Sequence, residues 1–398
     1  MQKFIYFLIT IATLAYAEVG DAVALTDRYK DSTQCKACHN QIIKHWQYSW
    51  HSKSHYEKDE YFQKSIDYLS RKSRKSKNAI KVECAGCHNP RILVTETNID
   101  YEILVAMKLD KNSKVNKALE SDSLSEGINC VVCHNIDKIH TNLSPDKRGV
   151  HRVSWMPQGT MVGPFANAFS PYHKTEQREH FTNKANTLCL VCHANDRSES
   201  GLVFSNMESE YKENSKQCVD CHMGPKEDGI ASTLRLKGGK QVPRKVRKHT
   251  FIGAHSASLW EGSMKLRASK AGTSLIVNIE NPNPHNIPSG FGGRELIVDV
   301  EYKSNGSVLK RHSMSLTRTY VSKRGKPTVP HLAVKQSDDT SIPAQGSKNL
   351  KFPFLKEADS AVITLSYRLV NDEIHSLLEL KDPIWSKKML INTLRIKF

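Results

Sequence analysis

The chain of 398 residues is short of apolar side chains, which make up only 38% of it. That share lies below the ordinary globular level. Side chains alone would therefore build thin cores, and something else must fill part of the interior. Beyond the first twenty positions no run approaches the length of apolar sequence that crosses a membrane, so a polytopic membrane protein is excluded. Strand-like patterns, charged turns and aromatics occur along the whole chain, which excludes wholesale disorder. Acidic residues are also scarce, with 41 Asp and Glu against 58 Lys and Arg, a formal net charge of +17. The length suggests two or three domains, and cysteine is confined to the first part of the chain, none following Cys221.

The first residues fix a compartment. Lys3 precedes an apolar run from Phe4 to Leu14 and then Ala15-Tyr16-Ala17, the small-x-small pattern of a cleavable secretory signal. The mature chain is expected to begin at Glu18 and to be exported to the periplasm. No cysteine follows the run, so a lipid anchor is not expected there.

Ten cysteines in an exported protein would ordinarily mean five disulfides. Their spacing says otherwise, because every one lies in a Cys-x-x-Cys-His pentapeptide: Cys35, Cys38 and His39; Cys84, Cys87 and His88; Cys130, Cys133 and His134; Cys189, Cys192 and His193; Cys218, Cys221 and His222. Two thiols three residues apart reach the two vinyl groups on one porphyrin edge, and the following imidazole swings under the iron. The pattern therefore predicts five covalently attached haem c groups. Zinc clamping by Cys-x-x-Cys pairs needs no His directly after each pair, and a redox dithiol needs only one pair. Five large apolar discs between residues 35 and 222 would supply the missing core. The expectation is a helix-and-loop segment wrapped around stacked haems, with the pentapeptides at helix starts and an apo chain that is largely unfolded.

Thirteen further histidines stand against five open iron positions, so supply does not argue for an open site. His51 and His55 follow Trp46 on an aromatic face. His173 ends the turn-rich stretch Gly163 to Pro171-Tyr172-His173, and His249 and His255 bracket Phe251-Ile252-Gly253-Ala254. His140 and His151 form a weaker group, and Met156, Met161 and Met223 are read as packing residues first. No Cys-x-x-Cys-Lys variant marks one haem as special.

Cys35-x-x-Cys38-His39 followed by Trp46-x-x-Ser49-x-His51 resembles the opening of the cytochrome c-554 family of multihaem cytochromes. The Gly163-Pro164 to His173 loop and the His249-x-Phe251-x-Gly253-x-His255 segment are similar to elements in multihaem relatives, and the likeness covers roughly residues 30 to 260. The resemblance implies paired, stacked haems, mostly with two His ligands, moving electrons in the periplasm. It makes His51, His173, His249 and His255 the distal ligands to expect. That family's namesake carries four haems, whereas five motifs stand here.

After Trp260 the chain changes character. Ser274–Ile279, Glu295–Tyr302, Ser315–Val321, Ala361–Tyr367 and Thr393–Phe398 alternate with period two, and Asn305-Gly306 marks a hairpin turn. The reading is a multidomain protein: signal peptide 1–17, pentahaem cytochrome segment 18–260, and an all-β immunoglobulin-like sandwich at 261–398. In the β-domain, Asn281 to Gly290 is a proline-stiffened loop holding His285 forward, with haem docking, iron ligation and an ordinary exposed turn all open.

Removing Lys3 with the signal leaves a charge of +16. Five ferric haems with ionised propionates bring that to roughly +11, so cofactor charge compensates much of the excess. Arg235 to Lys248 holds seven basic residues that can meet propionates or shape a docking face, while Arg71 to Lys77 reads as a solvated loop. The first functional reading is a periplasmic electron carrier between a quinol-oxidising membrane complex and a terminal reductase or small cytochrome. Peripheral membrane association is compatible with it; nucleic acid is not a partner. The second is a multihaem oxidoreductase acting on a small nitrogen or sulfur compound at one open-face haem, and the third a haem filament assembled through the β-domain.

Overall fold

Capping residues decide where the first helices begin. In the computed structural model, which describes residues 31–144, 147–213, 216–234 and 241–398, helix α1 (Thr33–Trp46) is followed by α2 (Glu60–Lys72) and α3 (Lys77–His88). The Asp59 carboxylate accepts from the Phe62 amide at 3.1 Å and the Ser76 hydroxyl from the Ala79 amide at 3.2 Å, each satisfying an amide the helix leaves unpaired. The signal segment 1–17 and the basic residues Arg235, Lys237 and Lys240 lie outside the described residues. No described helix is long and apolar enough to cross a membrane.

The described chain falls into two compact units, and not at a single cut. The first runs to Cys192 and resumes over Cys218–Phe251; the second joins His193–Gln217 to Ile252–Phe398. Within the first unit one ordinary apolar core forms around α3, where Ala79, Val82 and Ala85 meet Ile92, Val94, Tyr101, Val115, Ala118, Leu119 and Leu124. Further along the unit the buried apolar side chains thin out to Val131, Val132, Ile136, Val150, Val162, Ala185 and Val191. That stretch holds the short helices α4 (Cys130–His134), α5 (Ala185–His193) and α6 (Cys218–His222). It also holds three ribbons: Ile136–Ile139 antiparallel to Val153–Trp155, Thr160–Gly163 parallel to Lys174–Gln177, and Glu227–Ile230 antiparallel to Pro243–Val246. Ribbons thus take some of the ground expected to be loop.

The second unit is β-rich. Its strands are β1 (Lys265–Ala271), β2 (Ser274–Asn281), β3 (Glu295–Ser304), β4 (Ser307–Val321), β5 (Lys335–Asp339), β6 (Gly346–Pro353), β7 (Ser360–Arg368) and β8 (Met389–Lys397). They form two antiparallel sheets of order β6-β2-β1 and β5-β4-β3-β7-β8. Alternate residues face inward, as the period-two pattern requires: Leu275, Val277 and Ile279 on β2, Leu296, Val298, Val300 and Tyr302 on β3, and Ile363, Leu365 and Tyr367 on β7 are all buried. Asn305 and Gly306 turn β3 into β4 with φ of 50° and 78°, the left-handed pair that a two-residue hairpin demands.

Residues 193–217 belong with this unit for a packing reason. Phe204 is buried against Tyr320 and Ala333, with Leu202 and Phe291 alongside. Arg318 reaches the Phe204 and Pro288 carbonyls at 3.4 and 2.9 Å and the Glu210 carboxylate at 2.8 Å. The segment between the fourth and fifth pentapeptides is therefore a strap pinned to the β-sheets.

Candidate haem centres

The pentapeptides occupy different places on their helices. The first lies near a helix start, with Cys35 the third residue of α1; the second and fourth end α3 and α5, and the third and fifth are each a whole short helix. The expectation of helix starts is thus corrected for the second and fourth. In every motif but the first, the His is the final helical residue; in α1 the helix kinks at His39 instead, with φ −112° and ψ 34°. Either way the backbone turns at the imidazole, which is what lets the ring leave the helix surface.

Two imidazole pairs define the geometry. The rings of His39 and His173 have centroids 6.5 Å apart with planes 30° from parallel, and those of His134 and His249 lie 6.3 Å apart at 23°. A metal–imidazole bond of about 2 Å on each side, plus the ring radius, separates two axial imidazoles by about 6.3 Å. Both pairs thus stand at the spacing of two histidines on one iron. In all four residues Nδ1 donates to a backbone carbonyl: Ala231 at 2.7 Å for His39, Val162 at 2.6 Å for His134, Lys174 at 3.1 Å for His173 and Arg247 at 3.1 Å for His249. That hydrogen bond fixes the tautomer and leaves Nε2 to bind metal. Burial lowers the pKa of His134 and pushes that of His249 down to about 4, so both rings are neutral, the ligating form.

Aromatic rings hold the proximal imidazoles. Phe62 of α2 lies flat on His88 at 4.1 Å and 17°, and Phe181 on His134 at 4.8 Å and 16°. Sequence reasoning missed both, because nothing in their local pattern links them to a motif far along the chain. It also missed His45, one and a half turns beyond His39 on α1, whose Nδ1 is buried without a hydrogen-bond partner. His45 lines a cavity of about 670 Å³ with Asn40, Gln41, Lys44, Tyr48, Thr233 and Thr250. Its position six residues after the motif His on the same helix was the available signal.

The remaining site residues are placed as follows. His51 is half-buried with its ring 4.5 Å from that of Phe251, and its carbonyl accepts from the Ile128 amide at 3.0 Å. His55 is buried against Tyr56, its Nδ1 accepting from the Glu57 amide at 3.2 Å. His255 sits in the second unit, edge-on to Trp385 at 5.7 Å. His285, in the same unit, donates from Nδ1 to the Asn286 carbonyl at 2.9 Å, and Asn281 holds its backbone carbonyl at 2.9 Å. His151 packs on Gly86 of the second motif, and His140 bonds Ser154 Oγ at 2.7 Å on an exposed ribbon. His193 is exposed and His222 half-buried.

None of the ten cysteines is joined in a disulfide. Cysteines of different motifs lie side by side: Cys35 beside Cys130, Cys189 beside Cys218 and Cys192 beside Cys87. Burial pushes Cys133 up to about 12. The first and third motifs are thus neighbours, and the fourth touches both the second and the fifth. No three His, Cys, Asp or Glu donors converge on one point among the described residues, which is the arrangement tetrahedral zinc would need. Paired thiols and a separate pair of imidazoles fit a porphyrin: the cysteines would hold its edge and the imidazoles would hold its iron. The thin side-chain core in the same stretch agrees with that.

The described basic residues of the 235–248 stretch are largely spoken for. Arg247 pairs with Asp220 at 2.5 Å, Lys245 with Asp228 at 2.7 Å and Lys248 with Glu227 at 3.1 Å, while Arg244 stacks on Phe165 at 4.5 Å.

Cys-x-x-Cys-His motifs together with imidazole pairs at this spacing are a donor set that covalently attached haem c would fit. More particularly, residues 34–135, spanning the first three motifs, match the family model for cytochrome c554 and c-prime, which supports a multihaem c-type cytochrome. A penta-heme cytochrome c552 from Thermochromatium tepidum shares the fold, with a TM-score of 0.69 over 92% of this chain and 98% of its own at 18% identity. A structural-genomics target covers 34% of this chain at 9% identity and a TM-score of 0.14, which carries no argument. No curated protein matches the sequence.

Proposed function

We propose that the protein is a periplasmic pentahaem electron carrier, passing electrons between a quinol-oxidising membrane complex and a terminal reductase or small cytochrome. The observation that carries this reading is the pair of opposed imidazoles at His39/His173 and His134/His249. An iron held on both faces has no position for a substrate, and its chemistry is one-electron exchange. The protein's part is to bind, orient and keep dry. The cysteines fix the porphyrin edge, the backbone carbonyls fix the imidazole tautomers, and Phe62 and Phe181 fix the ring planes. Contacts between the cysteines of different motifs support close spacing of the groups, and five motifs beside a penta-heme structural neighbour support a count of five. His51 and His255 complete the proposed distal set with His173 and His249. The β-rich unit, with strand orders β6-β2-β1 and β5-β4-β3-β7-β8, is read as an immunoglobulin-like sandwich of the variable-type arrangement.

The second reading, an oxidoreductase for a small nitrogen or sulfur compound, draws support from the cavity at His45. Its lining carries the cation Lys44, two threonines and no carboxylate, a setting suited to a small anion. Low-temperature EPR with an optical CO-binding test on the haem-loaded protein decides. The carrier reading requires every haem to be low-spin and none to bind CO. A high-spin, CO-binding haem transfers the assignment to the enzyme.

A further inference from the structure

His180 lies in the single turn Glu179–Phe181, between the parallel ribbon ending at Gln177 and helix α5. It is only 6% exposed, and its Nε2 is buried without a hydrogen-bond partner. A buried imidazole nitrogen left unpaired is costly, and among the described residues no hydrogen-bond partner offsets it. The guanidinium of Arg178, the nearby cation, is committed to Asp137 at 2.8 Å and Glu176 at 2.7 Å, and none of the three hydrogen-bonds that nitrogen. Burial pushes the pKa of His180 down to about 4, as it does for His249. His180 therefore presents a neutral ring with an available nitrogen in a dry setting, the condition of an imidazole that ligates metal.

The iron in question is not that of the third motif. His134 and His249 fill both of its faces, and Phe181, next to His180, covers the His134 ring at 4.8 Å. The first motif is likewise matched by His173. We propose that His180 is an axial ligand to the haem iron of the second, fourth or fifth motif. This rests on the reading of five covalently bound haems, and it adds a ligand that sequence spacing did not single out.

The test uses the full holo-protein with H180G. Peptide mass analysis first counts haems in wild type and variant, so a wild type lacking five haems refutes the underlying reading rather than the ligand assignment. With five present, H180G is expected to lose one of its low-spin EPR signals, gain one high-spin signal and bind one equivalent of CO more than wild type. Added imidazole should restore the low-spin signal and displace the CO. Retention of every low-spin signal with no added CO binding overturns the assignment. Should H180G fail to load, H180M decides in its place: one haem with a thioether ligand and a raised potential supports the ligand role, and an unchanged set of potentials overturns it.

Discussion

Gly149 is where one methyl group should do the most damage to a single haem centre. Its φ of +56° lies in the left-handed region, and an added Cβ would meet the Gly86 carbonyl and sit 2.9 Å from Cys87 Sγ, inside the second attachment motif. The backbone conformation costs an L-residue roughly 1–2 kcal/mol. Overpacking adds about 1–3 kcal/mol, for a total of roughly 2–5 kcal/mol against domain stabilities of about 5–15 kcal/mol. Gly201 is the control, with a φ of +84° and open space where its Cβ would go. Each variant is unfolded in guanidinium and read from the transition of its own unit, while peptide mass analysis scores haem on Cys84 and Cys87. G149A should be destabilised by about 1–3 kcal/mol more than G201A, with haem occupancy lost at the second motif alone. Equal destabilisation of the two variants, with full occupancy in both, would refute the claim that Gly149 exists to let the motif approach.

Other outcomes follow from the same geometry. H173A and H249A should each turn one low-spin haem high-spin and open it to CO, and unchanged spectra would show that the opposed rings do not share an iron. R318A leaves the buried Glu210 carboxylate alone, so it should cost about 3–5 kcal/mol and make residues 196–213 the first site of limited proteolysis; cleavage elsewhere first would disprove the strap. Burial pushes the Asp59 carboxyl up to about 6 from its usual 3.8, so between those values the folded state holds more protons than the unfolded one. Stability should fall as pH rises through that window and level off above it, and D59N should flatten the profile; melting temperatures from pH 4 to 8 test the sign. A chain produced without haem attachment should keep a protease-resistant β-rich unit and lose residues 133–192 and 218–251 early, and resistance there would contradict a core made of haem.

The second unit was the more legible part. Period-two alternation in β2, β3 and β7 marks residues that do face inward, and Asn305-Gly306 forms the turn its composition predicts. Edges were less visible: β4 begins at Ser307 rather than near Ser315 because its first residues extend past the buried part of the sheet and are mostly exposed, so no apolar pattern marks them. The strap at 193–217 was illegible because its anchor is a single Phe204 and a salt bridge to Arg318, more than a hundred residues away. In the haem region the candidate attachment residues stand out in the sequence, since covalent chemistry fixes their spacing. The imidazole pairs do not, because each joins distant parts of the chain: the His39 ring lies near that of residue 173 and the His134 ring near that of residue 249.

That contrast also accounts for the composition. The α3 core is built from ordinary apolar residues between Ala79 and Leu124, and there the sequence reads as any helical protein would. Where the third, fourth and fifth motifs gather, buried apolar residues are few, yet the backbone still orders itself through two-stranded ribbons and carbonyl-to-imidazole hydrogen bonds. A chain ordered by such contacts alone has too little buried surface to offset about 1–2 kcal/mol of conformational entropy per residue. The five porphyrins of the proposed reading would supply that surface, which would make the low apolar content a consequence of the attachment motifs and the fold of this stretch conditional on their being filled.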